Sequence, residues 1–147
     1  MSAGEPSGAE RPVDSRTVTL LRERAFAAME RAYAPYSKFR VGAALLAADG
    51  TVTEGCNVEN AAYPAGICAE RSAVSAAIAK GNRSFDTVVI ASEAEEPTPP
   101  CGICRQVMEE FSPHLVVVAF TREGREARWT LDELLPKAFT PHSLDRR

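Results

Sequence analysis

Asp86-Thr-Val-Val-Ile-Ala-Ser92 is a continuous β-branched and apolar run with no polar alternation. A strand of that composition is buried on both faces, so it belongs at the centre of a sheet with layers above and below. Leu115 to Phe120 has the same character, and Ala127 to Thr130 reads as a shorter strand. Upstream, Val41 to Ala47 is small and apolar, Asp49-Gly50 is a strong turn signal, and Thr51 to Cys56 alternates. Together they predict a β-hairpin. Helical patterns lie between these strands. Val18, Leu21, Ala25, Ala28 and Ala32 recur at three- and four-residue steps from Asp14 or Ser15, and Pro35 is expected to stop the run. Cys68 to Lys80 is Ala-rich with Gly81 as its C-cap. A proline loop (Pro97, Pro99, Pro100) precedes a helix from Cys101 to Phe111, and Leu131 to Leu135 forms a last helical turn. This order predicts an α/β fold of three α/β/α layers around a five-stranded mixed sheet.

The chain has 147 residues, 45% hydrophobic and 25% charged, which suits one globular domain with a proper core. Residues 1–13, rich in Gly, Pro, Ser and Glu, are expected to be disordered. Residues 14–140 form the domain and 141–147 a mobile tail. A net charge of −3 leaves no electrostatic footprint for a nucleic-acid backbone. Apolar runs fall well short of the ~18–20 residues of a membrane span. With no secretory-type start, the expected location is a reducing cytoplasm, where four cysteines serve as ligands or free thiols.

Three of those cysteines form a pattern. Cys68-Ala-Glu70 is followed some thirty residues later by Pro100-Cys-Gly-Ile-Cys104. Three thiolates on zinc leave the fourth tetrahedral vertex to water, the arrangement of a catalytic site, and Glu70 is a carboxylate not needed as a ligand. Metal-activated water beside a proton shuttle reads as hydrolysis. Cys101 and Cys104 are spaced to share one face of a helix. Cys68 and Glu70 converge only if Cys68 sits at an irregular first turn, which Gly66 upstream permits. Both sets then lie at helix N-termini, where partial positive charge favours thiolates. Arg71, three residues after Cys68, faces the cluster and is expected to donate hydrogen bonds to the sulfurs. A structural four-cysteine knot would require Cys56, but eleven residues separate it from Cys68, against two to four in a zinc knuckle. Cys56 is read as a strand-end residue. His114 and His142 are expected to face solvent, Trp129 to pack, and the basic residues between 121 and 128 to form a solvated face.

Tyr36-Ser-Lys-Phe-Arg-Val-Gly-Ala-Ala44, Gly55-Cys-Asn-Val-Glu-Asn-Ala61, Cys68-Ala-Glu-Arg71 and Pro100-Cys-Gly-Ile-Cys-Arg-Gln106 together resemble the small cytidine deaminases, in their all-cysteine homotetrameric branch. The resemblance runs from about Pro35 to Phe139. It implies one zinc ion per subunit on Cys68, Cys101 and Cys104, with Glu70 as proton carrier. It implies that Asn57 and Glu59 bind the ribose 3′-hydroxyl, that Phe39 packs on the base, and that the Ala69 backbone meets the pyrimidine carbonyl. Ala61, Tyr63 and Phe139 match positions presented to a neighbouring subunit, implying shared active sites. The implied reaction is hydrolysis of cytidine and 2′-deoxycytidine to the uridine products and ammonia, in pyrimidine salvage. The partners are then a nucleoside substrate and sister subunits, with no nucleic acid and no membrane. Deaminases of modified cytosine nucleosides share both cysteine motifs, and Asn57-Val-Glu59 favours an ordinary ribose. Where the family has Tyr-Gly, Tyr63 is followed here by Pro64, which fixes φ and removes a donor, so this loop is expected to differ.

Overall fold

A computed structural model describes residues 14–145. The expected disordered segment 1–13 lies outside the described residues. Helix α1 (Ser15–Met29) opens at Asp14, whose carboxylate accepts the Arg16 N–H at 3.1 Å. Strands β1 (Val41–Ala47) and β2 (Val52–Cys56) form the hairpin, followed by α2 (Ala69–Ala79) and β3 (Phe85–Ser92). Then come α3 (Gly102–Phe111), β4 (Val116–Thr121), β5 (Glu126–Thr130) and the short α4 (Leu131–Leu134). The sheet order is β2-β1-β3-β4-β5, antiparallel throughout except for β3 and β4. A parallel pair needs a crossover, and α3 provides it.

The central strand behaves as its composition requires. Val88 and Ile90 face one core with Ala43, Leu45, Val117 and Ala119, under Ala73, Val74 and Ala77 of α2 and Met108 of α3. Val89 and Ala91 face the other core with Ala44, Val118 and Phe120, under Leu21, Ala25 and Met29 of α1. Helix α1 thus covers one face and α2, α3 and α4 the other, giving the three layers. Trp129 packs against the first core as expected. Among the described residues no helix is long and apolar enough to cross a membrane.

Two expectations need correction. Helix α1 ends at Met29, well before Pro35, and Ala32 lies outside it. The Ala32 N–H bonds back to Met29 (3.1 Å), after which Tyr33 leaves to bridge Val58, so tertiary pairing stops the helix before the proline does. Arg122 is not simply solvated: it contacts Glu30 at 2.8 Å and Glu93 at 3.5 Å. Beyond α4, Pro141–Leu144 forms a 3-10 turn, where the Thr140 N–H bonds to the Ser143 Oγ at 3.1 Å.

Two glycines set how closely the layers approach. A Cβ on Gly42 would lie 2.0 Å from the Ala25 carbonyl oxygen of α1. On Gly55 of β2 it would lie 2.4 Å from the Ala73 nitrogen and 2.5 Å from the Ala69 oxygen of α2. Backbone cannot yield as a side-chain tip does, so Gly55→Ala must push α2 off the sheet. The expected cost is about 2–3 kcal/mol, read as a lowered urea midpoint. An unchanged midpoint would show that the close approach is not needed for stability.

Candidate metal centre and cleft

The two longer helices on the site side of the sheet, α2 and α3, each begin at a cysteine. Cys68 caps α2 and Cys101 caps α3, each with extended backbone and neither making a side-chain capping bond. The irregular first turn expected for Cys68 is therefore present, and it frees the thiol from the helix periodicity that would have opposed it to Glu70. Cys101 differs slightly from expectation, standing ahead of α3 while Cys104 lies in its first turn. The N-terminal ends of both helices meet at the sulfurs, where unsatisfied N–H groups favour negative charge.

The Cys68 and Cys101 sulfurs are 3.9 Å apart, and those of Cys101 and Cys104 3.4 Å. All three lie within 4.8 Å of one another. Tetrahedral thiolates at ~2.3 Å from zinc stand roughly 3.8 Å apart, so this donor set fits that ion. Cys104 is fully buried, Cys68 half-buried and Cys101 exposed, so the cluster is open on one side. Cys56 ends β2 and stands outside the group, as read from spacing. The Arg71 guanidinium reaches the Cys68 sulfur at 3.7 Å, and its own Nε is buried without a partner. Hydrogen bonding from Cys104, then from Arg71 and Cys101, holds the Cys68 thiol down to about 5 against the effect of burial. The Cys104 thiol is pushed up by its bond to Cys68 and by burial. Arg71→Gln is expected to weaken zinc retention about 10- to 100-fold, measured by competition with a chelator. Identical retention and identical turnover would remove any tuning role from Arg71.

Glu70, one residue into α2, is only 5% exposed. Burial pushes its carboxyl upward; a hydrogen bond from Cys104 opposes that and negative charge at Cys68 reinforces it. It lines a cleft of about 440 Å³ together with Phe39, Asn57, Glu59, Tyr63, Cys68, Ala69, Arg71 and Cys101. Most of the residues singled out from sequence therefore converge. Cys104 lies buried beneath the cleft, and Ala61 and Phe139 are outside its lining. Tyr63 is 76% exposed and Phe139 57%. The loop carrying Pro64 forms a 3-10 turn (Tyr63–Ala65), then rejoins through the Val58–Ile67 bridge and so delivers Cys68.

Asn57 is buried, and its amide is largely committed. Its Oδ1 accepts the Val41 N–H and its Nδ2 donates to the Phe39 carbonyl, both at 2.8 Å. The Glu59 carboxylate accepts the N–H groups of Tyr36 and Ser37 at 3.0 Å, and the Ser37 hydroxyl. These bonds, led by the Ser37 hydroxyl, hold Glu59 below the usual carboxylate range.

Several supporting residues stand inside the quoted motifs, but no role was read for them. Arg40 binds Glu93 through its main-chain N–H (3.0 Å) and its guanidinium (2.6 Å), and draws the Glu93 carboxyl down to about 2. That pair fastens the start of β1, next to Phe39, to the end of β3. Arg105 donates to the carbonyls of Pro100 (2.7 Å) and Leu134 (2.8 Å), fixing the turn that presents Cys101. Gln106 donates to the Phe139 carbonyl at 2.8 Å. Their place directly after Cys104 was the only available hint.

Residues 16–120 match the family model of the cytidine and deoxycytidylate deaminase zinc-binding region. Over 118 residues the chain is 48% identical to a cytidine deaminase of Sporosarcina psychrophila, covering 80% of this chain and 87% of that one. It is 43% identical over 127 residues to a cytidine deaminase of Halalkalibacterium halodurans, covering 86% and 96%. A crystal structure of the Burkholderia pseudomallei cytidine deaminase superposes with a TM-score of 0.80 at 48% identity, over 82% of this chain and 98% of that one.

Proposed function

Because the chain belongs to the cytidine and deoxycytidylate deaminase family and is a zinc-dependent cytidine deaminase, we propose that its cleft hydrolyses both cytidine and 2′-deoxycytidine, with Glu70 carrying the protons. The observation that carries this division of roles is a buried carboxyl beside three converging sulfurs in one nucleoside-sized cleft. Cys68, Cys101 and Cys104 hold the metal. When bound, zinc supplies an electrophilic centre that makes water nucleophilic near neutral pH.

Glu70 takes a proton from the attacking water and delivers it to ring N3, which makes C4 a better electrophile. It then takes the remaining proton from the new C4 hydroxyl and passes it to the exocyclic amine as the C4–N bond breaks and the C4 carbonyl forms, so one water enters and one ammonia leaves. A carboxyl raised by burial suits a group that must both accept and return a proton. Phe39 packs on the base, the Ala69 backbone meets the pyrimidine carbonyl, and Asn57 and Glu59 hold the 3′-hydroxyl. Asn57 already spends one amide hydrogen on Phe39, which leaves the other for the sugar. Arg71 steadies the sulfur cluster.

The exposed Tyr63 and Phe139, with Ala61 nearby in sequence, are surfaces for neighbouring subunits of a homotetramer that shares its active sites. A native mass other than four chains would count against that assembly. Residues 14–140 act as one domain, since both cores draw on the same sheet. The four free thiols suit a cytoplasmic enzyme of pyrimidine salvage. Purified protein mixed with cytidine or 2′-deoxycytidine should shift the ultraviolet absorbance to that of the uridine product and release ammonia, and a chelator should stop it. Ammonia released from cytidine alone would overturn the dual specificity.

A further inference from the structure

Ser37 lines the cleft together with Phe39, Asn57 and Glu59. Both of its polar groups reach the Glu59 carboxylate: the N–H bonds to Oε1 at 3.0 Å and the hydroxyl to Oε2. The same hydroxyl accepts the Phe39 N–H at 3.1 Å. Phe39 is pinned again at its carbonyl by Asn57, so both of its main-chain polar groups answer to residues that flank the sugar. Between Ser37 and Phe39 lies Lys38, at φ 59°, a left-handed conformation that a non-glycine side chain adopts only when its surroundings enforce it. The Lys38 N–H bonds to the Ala34 carbonyl at 3.1 Å, closing the turn from the other side. The turn that aims Phe39 is thus held in a costly shape by bonds that converge on Glu59.

A carboxylate offers about four acceptor positions. On Glu59, Tyr36 and Ser37 occupy three of them. One position remains, enough for one sugar hydroxyl and directed by the three already made.

We propose that Ser37 is a positioning residue whose hydroxyl ties the sugar-binding carboxylate of Glu59 to the base-packing ring of Phe39, so that recognition of the 3′-hydroxyl also sets the placement of the base. This rests on the roles given to Glu59 and Phe39 above. A serine that only shaped the loop would affect all nucleosides equally, whereas one that couples Glu59 to Phe39 matters most when the hydroxyl is there to be held.

The test compares 2′-deoxycytidine with 2′,3′-dideoxycytidine, which differ only in the 3′-hydroxyl, on wild type, Ser37→Ala, Ser37→Thr and Glu59→Gln. Ser37→Ala is expected to raise KM for 2′-deoxycytidine about 10-fold with little change in kcat, the scale of one charge-assisted hydrogen bond. On 2′,3′-dideoxycytidine its penalty should shrink to within about twofold, and Ser37→Thr, which keeps the hydroxyl, should recover the wild-type pattern. Equal penalties of Ser37→Ala on both substrates, with Glu59→Gln still penalised on 2′-deoxycytidine alone, would overturn the coupling and leave the sugar role of Glu59 intact. Equal penalties of Glu59→Gln on both substrates would remove that sugar role and the coupling with it.

Discussion

Glu70→Gln is expected to retain its zinc and lose about 10²–10⁴-fold in kcat, the range a positioned general acid–base supplies. The two halves of this expectation have separate causes. The group that could hold an ion among the described residues contains the sulfurs of Cys68, Cys101 and Cys104 without Glu70. Removing the carboxylate therefore takes away no ligand, and zinc analysis should still give one ion per chain. The proposed mechanism uses Glu70 at both proton transfers, and Gln is nearly the same size, so packing around the first turn of α2 is kept. The amide can donate or accept a hydrogen bond but cannot shuttle a proton. Because the site is buried, water does not replace it readily. Turnover within tenfold of wild type, with zinc in place, would show that another group carries the protons.

The architecture was legible because its main signals are local. Asp86 to Ser92 declared itself two-sided through composition alone, and its alternate residues do face two separate cores. The cysteine motifs were legible for a related reason: metal chemistry restricts residue type, and each motif sits at a helix start where spacing has geometric meaning. What escaped the sequence joins distant segments. Arg40 meets Glu93 fifty-three positions away, and Arg122 meets Glu30 at a separation of ninety-two. No periodicity marks such pairs, and single charged residues read as solvated. Gly42 and Gly55 sat unremarked inside recognised strands because their function is to lack a Cβ against a helix not yet positioned. Asn57 was anticipated as a sugar contact, and what the structure shows is its amide bracing the entry to β1. A polar side chain in a loop gives no sign of whether its partner is backbone or ligand until the fold brings the two together.

The second large effect concerns Cys104, which belongs both to the sulfur group that could hold the ion and to the core. Its sulfur lies 3.4 Å from that of Cys101, and its side chain is fully buried with Met108, Leu115 and Ala73 in the core on that face. Cys104→Ala should therefore lose the metal and leave a small cavity, and these consequences can be separated. Two thiolates remain, one of them exposed, so zinc content should fall from one per chain to near zero and deamination to background. The cavity alone should cost on the order of 1 kcal/mol, since one sulfur is removed from otherwise apolar packing. The three-layer core has its own hydrophobic support on both faces of the sheet, so the variant should keep its helical circular dichroism while its melting temperature falls. Wild type stripped by a chelator should lose activity and melt lower too, because a ligand that binds only the folded state stabilises it by mass action. Added zinc should restore the stripped wild type and leave Cys104→Ala inactive. If chelation instead unfolded the chain, the metal would be a structural pillar, and the independence of the two cores from the sulfur cluster would be wrong. If Cys104→Ala kept both zinc and turnover, the third ligand would lie elsewhere.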